Sequence, residues 1–284
     1  MCGCEKMKKL LMPSSIEQIN RTFELTDGYI LSLKNFSVNA PFYFEMSDIK
    51  KIINSLKNKK IFISINKNIH ENELDELKEY LNELSNLDID GILYADASIV
   101  EINSKLEKKL NLFWANEHVT TNYMTCNFLS NFDICGVLIS PELSLREIIE
   151  IKNNTKLICM AYIFGYLPMF VSFRHTVQNY YDFNNYNNQE GIHKIYKEDK
   201  FYPIIDNKNG SEAYSNFVLN GVDEFKKLDE VNFDYGIFNS LLIEEEKMID
   251  VLKIYDNGKK EDLEKIIDNT DTGFFYKETV YKVK

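Results

Sequence analysis

Residues 60–96 read KIFISINKNIHENELDELKEYLNELSNLDIDGILYAD. The stretch opens on a short apolar run (60–66), passes into a strongly periodic amphipathic segment (73–87) and returns to a second apolar run (91–95) that ends at Asp96. A run of four to eight apolar residues fits a strand buried on both faces, and apolar positions at helical spacing fit a helix covering a sheet. Strand, helix, strand in that order is a βα unit with parallel strands.

The same rhythm extends in both directions. Upstream, residues 9–12 and 28–33 are apolar runs. Ser14 or Ser15 caps a helix through Ile16, Ile19 and Phe23 with Glu17 in its first turn. Residues 35–44 read as a loop, and Ser47 is expected to cap a helix carrying Ile49, Ile52, Ile53 and Leu56. Downstream, residues 112–116, 135–140 and 156–164 are the fifth, sixth and seventh strands, and 235–242 the eighth. Helices fit at 119–129 and 144–153, the latter opened by Ser144 and Glu147 in capping-box spacing. The fold class expected is α/β, a (β/α)8 TIM-like barrel with a small β-rich insertion before the last strand.

The insertion covers about 165–232, too long for an ordinary connection in a compact barrel. Within it, 170–183 reads as one helix or as an extended loop, and 179–188 is a polar run rich in Asn and Tyr. Residues 192–196 and 201–205 alternate like a hairpin around 198–200, 206–210 is a turn, and 222–231 is a helix. The domain reading is a disordered start at 1–7, a barrel over 8–245, and a helix and tail over 246–284. The final stretch, 273–284, reads as a strand or ordered tail.

The chain has 284 residues, 44% hydrophobic and 13% aromatic, enough apolar material for a substantial core. Its 44 acidic and 33 basic residues leave a net charge of −11, which disfavours a broad grip on phosphates without a local basic patch or a basic partner. Cysteines at 2, 4, 126, 135 and 159 are odd in number and show no framework spacing, so a reducing, cytoplasmic compartment is expected. Cys2 and Cys4 are closer together than a zinc knuckle allows and have no second pair, so no metal site is assigned. No apolar run is long enough to span a bilayer, and no membrane partner is expected.

In a parallel barrel, reactive groups lie where strands end, at the C-terminal mouth. Ser14, Asn66, Asp96, Asn116, Glu117, His118 and Glu142 occupy such ends. Glu117 and His118 follow LFWAN directly, and a carboxylate beside an imidazole suits acid–base work near neutral pH. Glu117, His118 and Glu142 are the catalytic candidates; a polar helix start is the competing role for each. Asn66, Asp96 and Asn116 are substrate-binding candidates, against turn closure or helix capping. Arg174 and His175, with Asn179 and Tyr180 a turn later, could form an anion or base-stacking site extended by Tyr181, Phe183 and Tyr186. Aromatic density of this kind also serves cores and interfaces. GxSxG and HExxH motifs are absent, and with 11 glycines there is no phosphate-cradling loop.

Several segments together resemble peptidase family U32. They are Leu10-Leu-Met-Pro-Ser, the run from Ile65 through Asn-Lys-Asn-Ile-His-Glu-Asn-Glu-Leu-Asp-Glu-Leu, Asp90-Gly-Ile-Leu-Tyr-Ala-Asp, Trp114-Ala-Asn-Glu-His-Val-Thr-Thr-Asn, and Pro141-Glu-Leu-Ser-Leu-Arg-Glu-Ile, with Pro141 where the family has arginine. The likeness runs in order over about 8–245. It implies a barrel, a nominal peptidase or collagenase-like class, and relatives that act in hydroxylation of RNA bases or quinone precursors with four cysteines holding an iron–sulfur cluster. The family places those cysteines after the seventh strand, where this chain has none beyond Cys159. Three cysteines at 126, 135 and 159 do not make the four thiolates of a standard cluster, so no cofactor is expected. The expectation is a cluster-less subunit or binding partner in tRNA uridine (wobble) hydroxylation, beside a four-cysteine U32 paralogue through which tRNA is reached. The alternatives are a peptidase-like or small-molecule enzyme using Glu117, His118 and Glu142, and a non-catalytic binding barrel. No triad or metal motif supports proteolysis.

Overall fold

The computed structural model describes residues 6–116, 118–187, 191–197 and 199–277. Its strands are β1 (Lys8–Met12), β2 (Gly28–Leu33), β3 (Tyr43–Phe44), β4 (Lys60–Ile65), β5 (Gly91–Tyr94), β6 (Leu112–Trp114), β7 (Ile134–Leu138), β8 (Ile158–Ser172), β9 (Ile192–Lys197), β10 (Lys200–Asn207), β11 (Gly210–Asn220), β12 (Tyr235–Asn239) and β13 (Thr270–Asp271). Parallel pairing runs β1–β2–β4–β5–β6–β7–β8 and closes through β12, which pairs with both β8 and β1. Among the described residues this is a closed ring of eight parallel strands, a TIM-like barrel, with helices on its outside. No helix among them is long and apolar enough to cross a membrane.

Each strand read from an apolar run is present, and helix starts follow the local capping chemistry. Ser15 caps Ile16–Thr22 by accepting from the Gln18 N–H, and Ser144 and Glu147 form a reciprocal capping box on Leu145–Asn154. Two expected starts move. The helix placed at 119 begins at Tyr123, because Asn122 takes the N-cap and accepts from the Thr125 N–H. The helix Met46–Ser55 begins before Ser47, with Glu45 at its N-cap. The helix Glu245–Asn257 packs on the barrel wall, where the buried Tyr255 hydroxyl donates to the Ile163 carbonyl at 2.8 Å and its ring meets Phe238 at 4.7 Å.

The bottom of the barrel carries a repeated device. Asp27 and Asp90 each precede a strand-opening glycine, and their carboxylates accept the N–H of the adjoining strand's Lys9 at 2.7 Å and Ile61 at 2.8 Å. Asp234 does the same for Cys159 at 2.8 Å and also binds Lys152. Above this ring, Phe62 meets Phe113 and Tyr235 edge-on, with centroids 5.0 and 5.5 Å apart. These residues sit on β4, β6 and β12, which are not neighbours, so the rings meet across the lumen and mark the inward face. Strand alternation then turns Ser64, Asn66, Ala95, Ala115 and Ser140 inward at the upper end. The lumen is aromatic below and small and polar above.

The largest difference from the sequence reading lies in the insertion. β8 does not stop near Phe164 but runs fifteen residues to Ser172. Residues 170–183 therefore divide into the end of that strand and the helix Thr176–Asn184. β11 returns antiparallel beside β8, and the hairpin β9–β10 adds to its far edge. β11 was hidden because GSEAYSNFVLN is polar in sequence, although Ser211, Glu212, Ser215 and Asn220 are all buried. Gly165, at φ +109°, is where β8 leaves the barrel; a Cβ there would lie 2.2 Å from the Asn239 carbonyl oxygen.

Candidate functional site

At the C-terminal mouth a cavity of about 190 Å³ opens between the barrel loops and the extension of β8. Its apolar wall is Val38, Ala95, Ala115, Val171 and Phe173, and its polar wall is Asn39, Asn66, Asn68, Asn116 and His118. Ala95 and Ala115 are inward positions whose small side chains leave this space. A larger cleft of about 700 Å³ lies at the other end, by Asn111 and Cys135 where β6 and β7 begin. The mouth is the candidate because strand ends and their loops converge there.

Of the residues expected from sequence, the cavity gathers Asn66, Asn116 and His118. Asn66 also shapes the wall, since its Oδ1 accepts the Val38 N–H at 2.9 Å. Asp96 lies behind it, accepting N–H bonds from Ile69 and Ser98, each at 2.9 Å. Burial works against its charge, but those bonds prevail and hold the carboxyl below the usual aspartate range. Its placement is that of a loop organiser. The Glu142 Oε1 is 3.9 Å from His118 Nδ1 at the exposed rim, the side chains 57% and 42% accessible. An exposed pair at that distance contributes little to stability and leaves both groups open to a ligand. Glu117 lies outside the described residues, as do Cys2 and Cys4.

Arg174, His175, Asn179 and Tyr180 are exposed and away from this cavity, at the start of and along Thr176–Asn184. His175 holds the N-cap position without a side-chain bond. Ser211 Oγ and Asp206 Oδ2 cap the helix instead, accepting the Thr176 and Gln178 N–H at 2.7 and 3.0 Å. Tyr180, Tyr181 and Tyr186 pack edge-on at 6.2–6.3 Å, and Tyr181 meets His193 of β9.

These contacts define two faces of the inserted sheet. The helix covers the back. On the front, register aligns Val171 with Glu212, Glu212 with Ile205, and Ile205 with Ile192. The barrel rim meets this front: Tyr43 donates to Glu212 Oε1 at 2.9 Å, and Asn209 Nδ2 donates to the Ser37 carbonyl at 2.9 Å. Tyr214 and Asn207 also donate to the Glu212 carboxylate. Burial first, and then the adjacent Glu212 charge, pushes the Tyr43 hydroxyl far above its ordinary pKa, so it remains a donor. Sequence reasoning missed Val38, Asn39, Asn68, Val171, Phe173 and Glu212. The Ser64–Asn66 alternation in FISIN (62–66) was a signal for a polar upper lumen; nothing local signalled the rest.

A model of peptidase family U32 matches residues 24–280. The chain belongs to peptidase family U32. The tRNA hydroxylation protein P2 of Bacillus subtilis (strain 168) is 25% identical over 308 residues, spanning 98% of this chain and all of that protein. The tRNA hydroxylation protein P1 of the same organism is 24% identical over 121 residues, 43% of this chain and 29% of that one. A solved U32 peptidase structure superposes with a TM-score of 0.52 over 84% of this chain and 94% of its own, at 12% identity, a likeness of fold.

The four-thiolate cluster that the resemblance implies can be tested against the thiols present. Cys126 and Cys159 are buried, and burial pushes them up to about 11 and about 12, so both are neutral thiols. Cys135 lies at the opposite end from the mouth, where β7 begins. No group of three or more His, Cys, Asp or Glu among the described residues is arranged to hold a metal. The described cysteines do not fit a cluster.

Proposed function

We propose that this U32 chain serves uridine hydroxylation in tRNA, in the cytoplasm, as a substrate-holding subunit beside a paralogue whose four cysteines carry the redox group. The observation that carries the reading is similarity along the full length of tRNA hydroxylation protein P2, joined to thiols that do not fit a cluster. The similarity to P1 from the same organism supports a working pair. The mouth cavity supports the substrate. At about 190 Å³ it is smaller than the usual drug-sized pocket and suits one single-ring heterocycle. Asparagine amides offer both donors and acceptors, which complement the alternating edge of a uracil. Asn66, Asn116 and His118 would hold the base.

The test is nucleoside mass spectrometry of tRNA from cells lacking the gene, complemented with the wild type or with Asn116→Ala and His118→Ala. Loss of hydroxylated uridine on deletion, with poor rescue by the variants, is expected. Co-purification of an iron-bearing paralogue with an iron-free chain completes it; unchanged tRNA on deletion sinks the reading.

The placement of His118 beside Glu142 supports one alternative, acid–base chemistry on a small molecule or peptide with Glu117. Hydrolysis by the isolated chain, lost in His118→Ala, would favour it.

A further inference from the structure

The front of the inserted sheet does not end at the barrel rim. Register carries it outward from Ile205 along β10 to Phe201, and across to Ile192, Lys194 and Tyr196 on β9. This outer half is uncovered: Tyr196 is 71% and Ile192 52% accessible. Lys194 Nζ stands 4.5 Å from the centre of the Phe201 ring, and Tyr196 and Phe201 pack at 6.4 Å. Among the described residues no carboxylate pairs with Lys194. In a chain of net charge −11, an exposed strip of two rings and a lysine is charge-matched to an anion with flat groups. The strip shares its face with Val171, which walls the mouth cavity.

We infer that the outer front face of the insertion, Lys194, Tyr196 and Phe201, is a stacking platform for an unpaired RNA strand, which it leads toward the mouth cavity. Rings stack bases whatever their identity, and a lysine beside them neutralises the backbone, which is how single strands are held without sequence readout. A duplex hides its base faces and gains nothing from such a platform. The inference rests on the tRNA reading and adds where the strand lies; the helix Thr176–Asn184, on the opposite face, takes no part in it.

The test is fluorescence anisotropy on the full chain in low salt, with a labelled oligouridylate of about ten nucleotides and a labelled RNA duplex of the same length. Tyr196→Ala and Phe201→Ala should each weaken single-strand binding by about 5- to 150-fold. Lys194→Gln should lower the salt slope by about 1. Phe183→Ala, on the back helix, should change nothing. Tyr196 is exposed enough that its variant will keep the wild-type melting temperature if Phe201→Ala does not. Absence of single-strand binding, equal affinity for the duplex, or an unchanged Tyr196→Ala overturns the inference. So does loss of paralogue co-purification with RNA binding intact, which would make the face a protein contact. Failure of the functional reading looks different: tRNA uridines are unaffected by gene deletion while the binding results stand.

Discussion

The Tyr43 hydroxyl and the Glu212 carboxylate, 169 positions apart in the chain, meet at 2.9 Å and tie the short strand β3 to the inserted sheet. Glu212 is 1% accessible, and its described partners are neutral donors. Tyr43→Phe removes one donor from a buried carboxylate and should cost about 1–3 kcal/mol. Urea denaturation should show a lower midpoint at unchanged slope, together with faster proteolysis of the insertion. An unchanged midpoint would mean that the Tyr43–Glu212 bond does not hold the sheet to the rim.

Asp96 sets a pH dependence. Its folded pKa is lowered, so its contribution is fully present above the ordinary aspartate value of about 3.9 and is lost as pH falls through the lower folded value. Asp96→Asn keeps one acceptor and loses the charge. The melting-temperature gap between wild type and variant should be constant through the neutral range and close below about pH 4. A gap that persisted in acid would assign the effect to shape rather than charge.

Cysteine reactivity separates by position. Buried thiols pushed up to about 11 and about 12 are protonated at neutral pH, so Cys126 and Cys159 should resist iodoacetamide until the chain unfolds. Of the three described cysteines, Cys135, half-buried at the edge of the lower cleft, should label first. Site-resolved mass spectrometry reads the order, and early labelling of Cys159 would contradict the packing of β8.

Gly165→Ala attacks the departure of β8 from the barrel. The left-handed backbone alone is worth on the order of 1–3 kcal/mol against a non-glycine residue, and the new methyl would strike the Asn239 carbonyl. The variant should unfold at a clearly lower urea concentration than Tyr43→Phe, since it strains ring and insertion together.

The barrel was legible because each strand is a short apolar run and each helix a periodic one, the two patterns that parallel packing imposes. Ser144 with Glu147, and Ser15 with Gln18, show how far local chemistry fixes helix starts. Sequence also reached the mouth through Asn66, Asn116 and His118, since strand ends must converge there. It did not reach Phe173 or Glu212. Their positions depend on β8 continuing past Gly165, a choice made by a partner strand whose polar residues are satisfied only after it pairs. The Asp-Gly starts at 27–28 and 90–91 were visible as letters but acquire meaning only once the neighbouring strand's N–H is in place.

The insertion leaves on β8 and comes back on β11, and the return is tight: the Gly221 N–H donates to the Ile163 carbonyl at 3.0 Å, beside the point of departure. A segment whose two ends meet on one spot of the wall behaves as a cassette. A transplant of this segment between relatives, cut at Gly165 and Gly221, is expected to leave the order and register of the eight-strand ring unchanged if the rim contacts of Glu212 and Asn209 are carried with it.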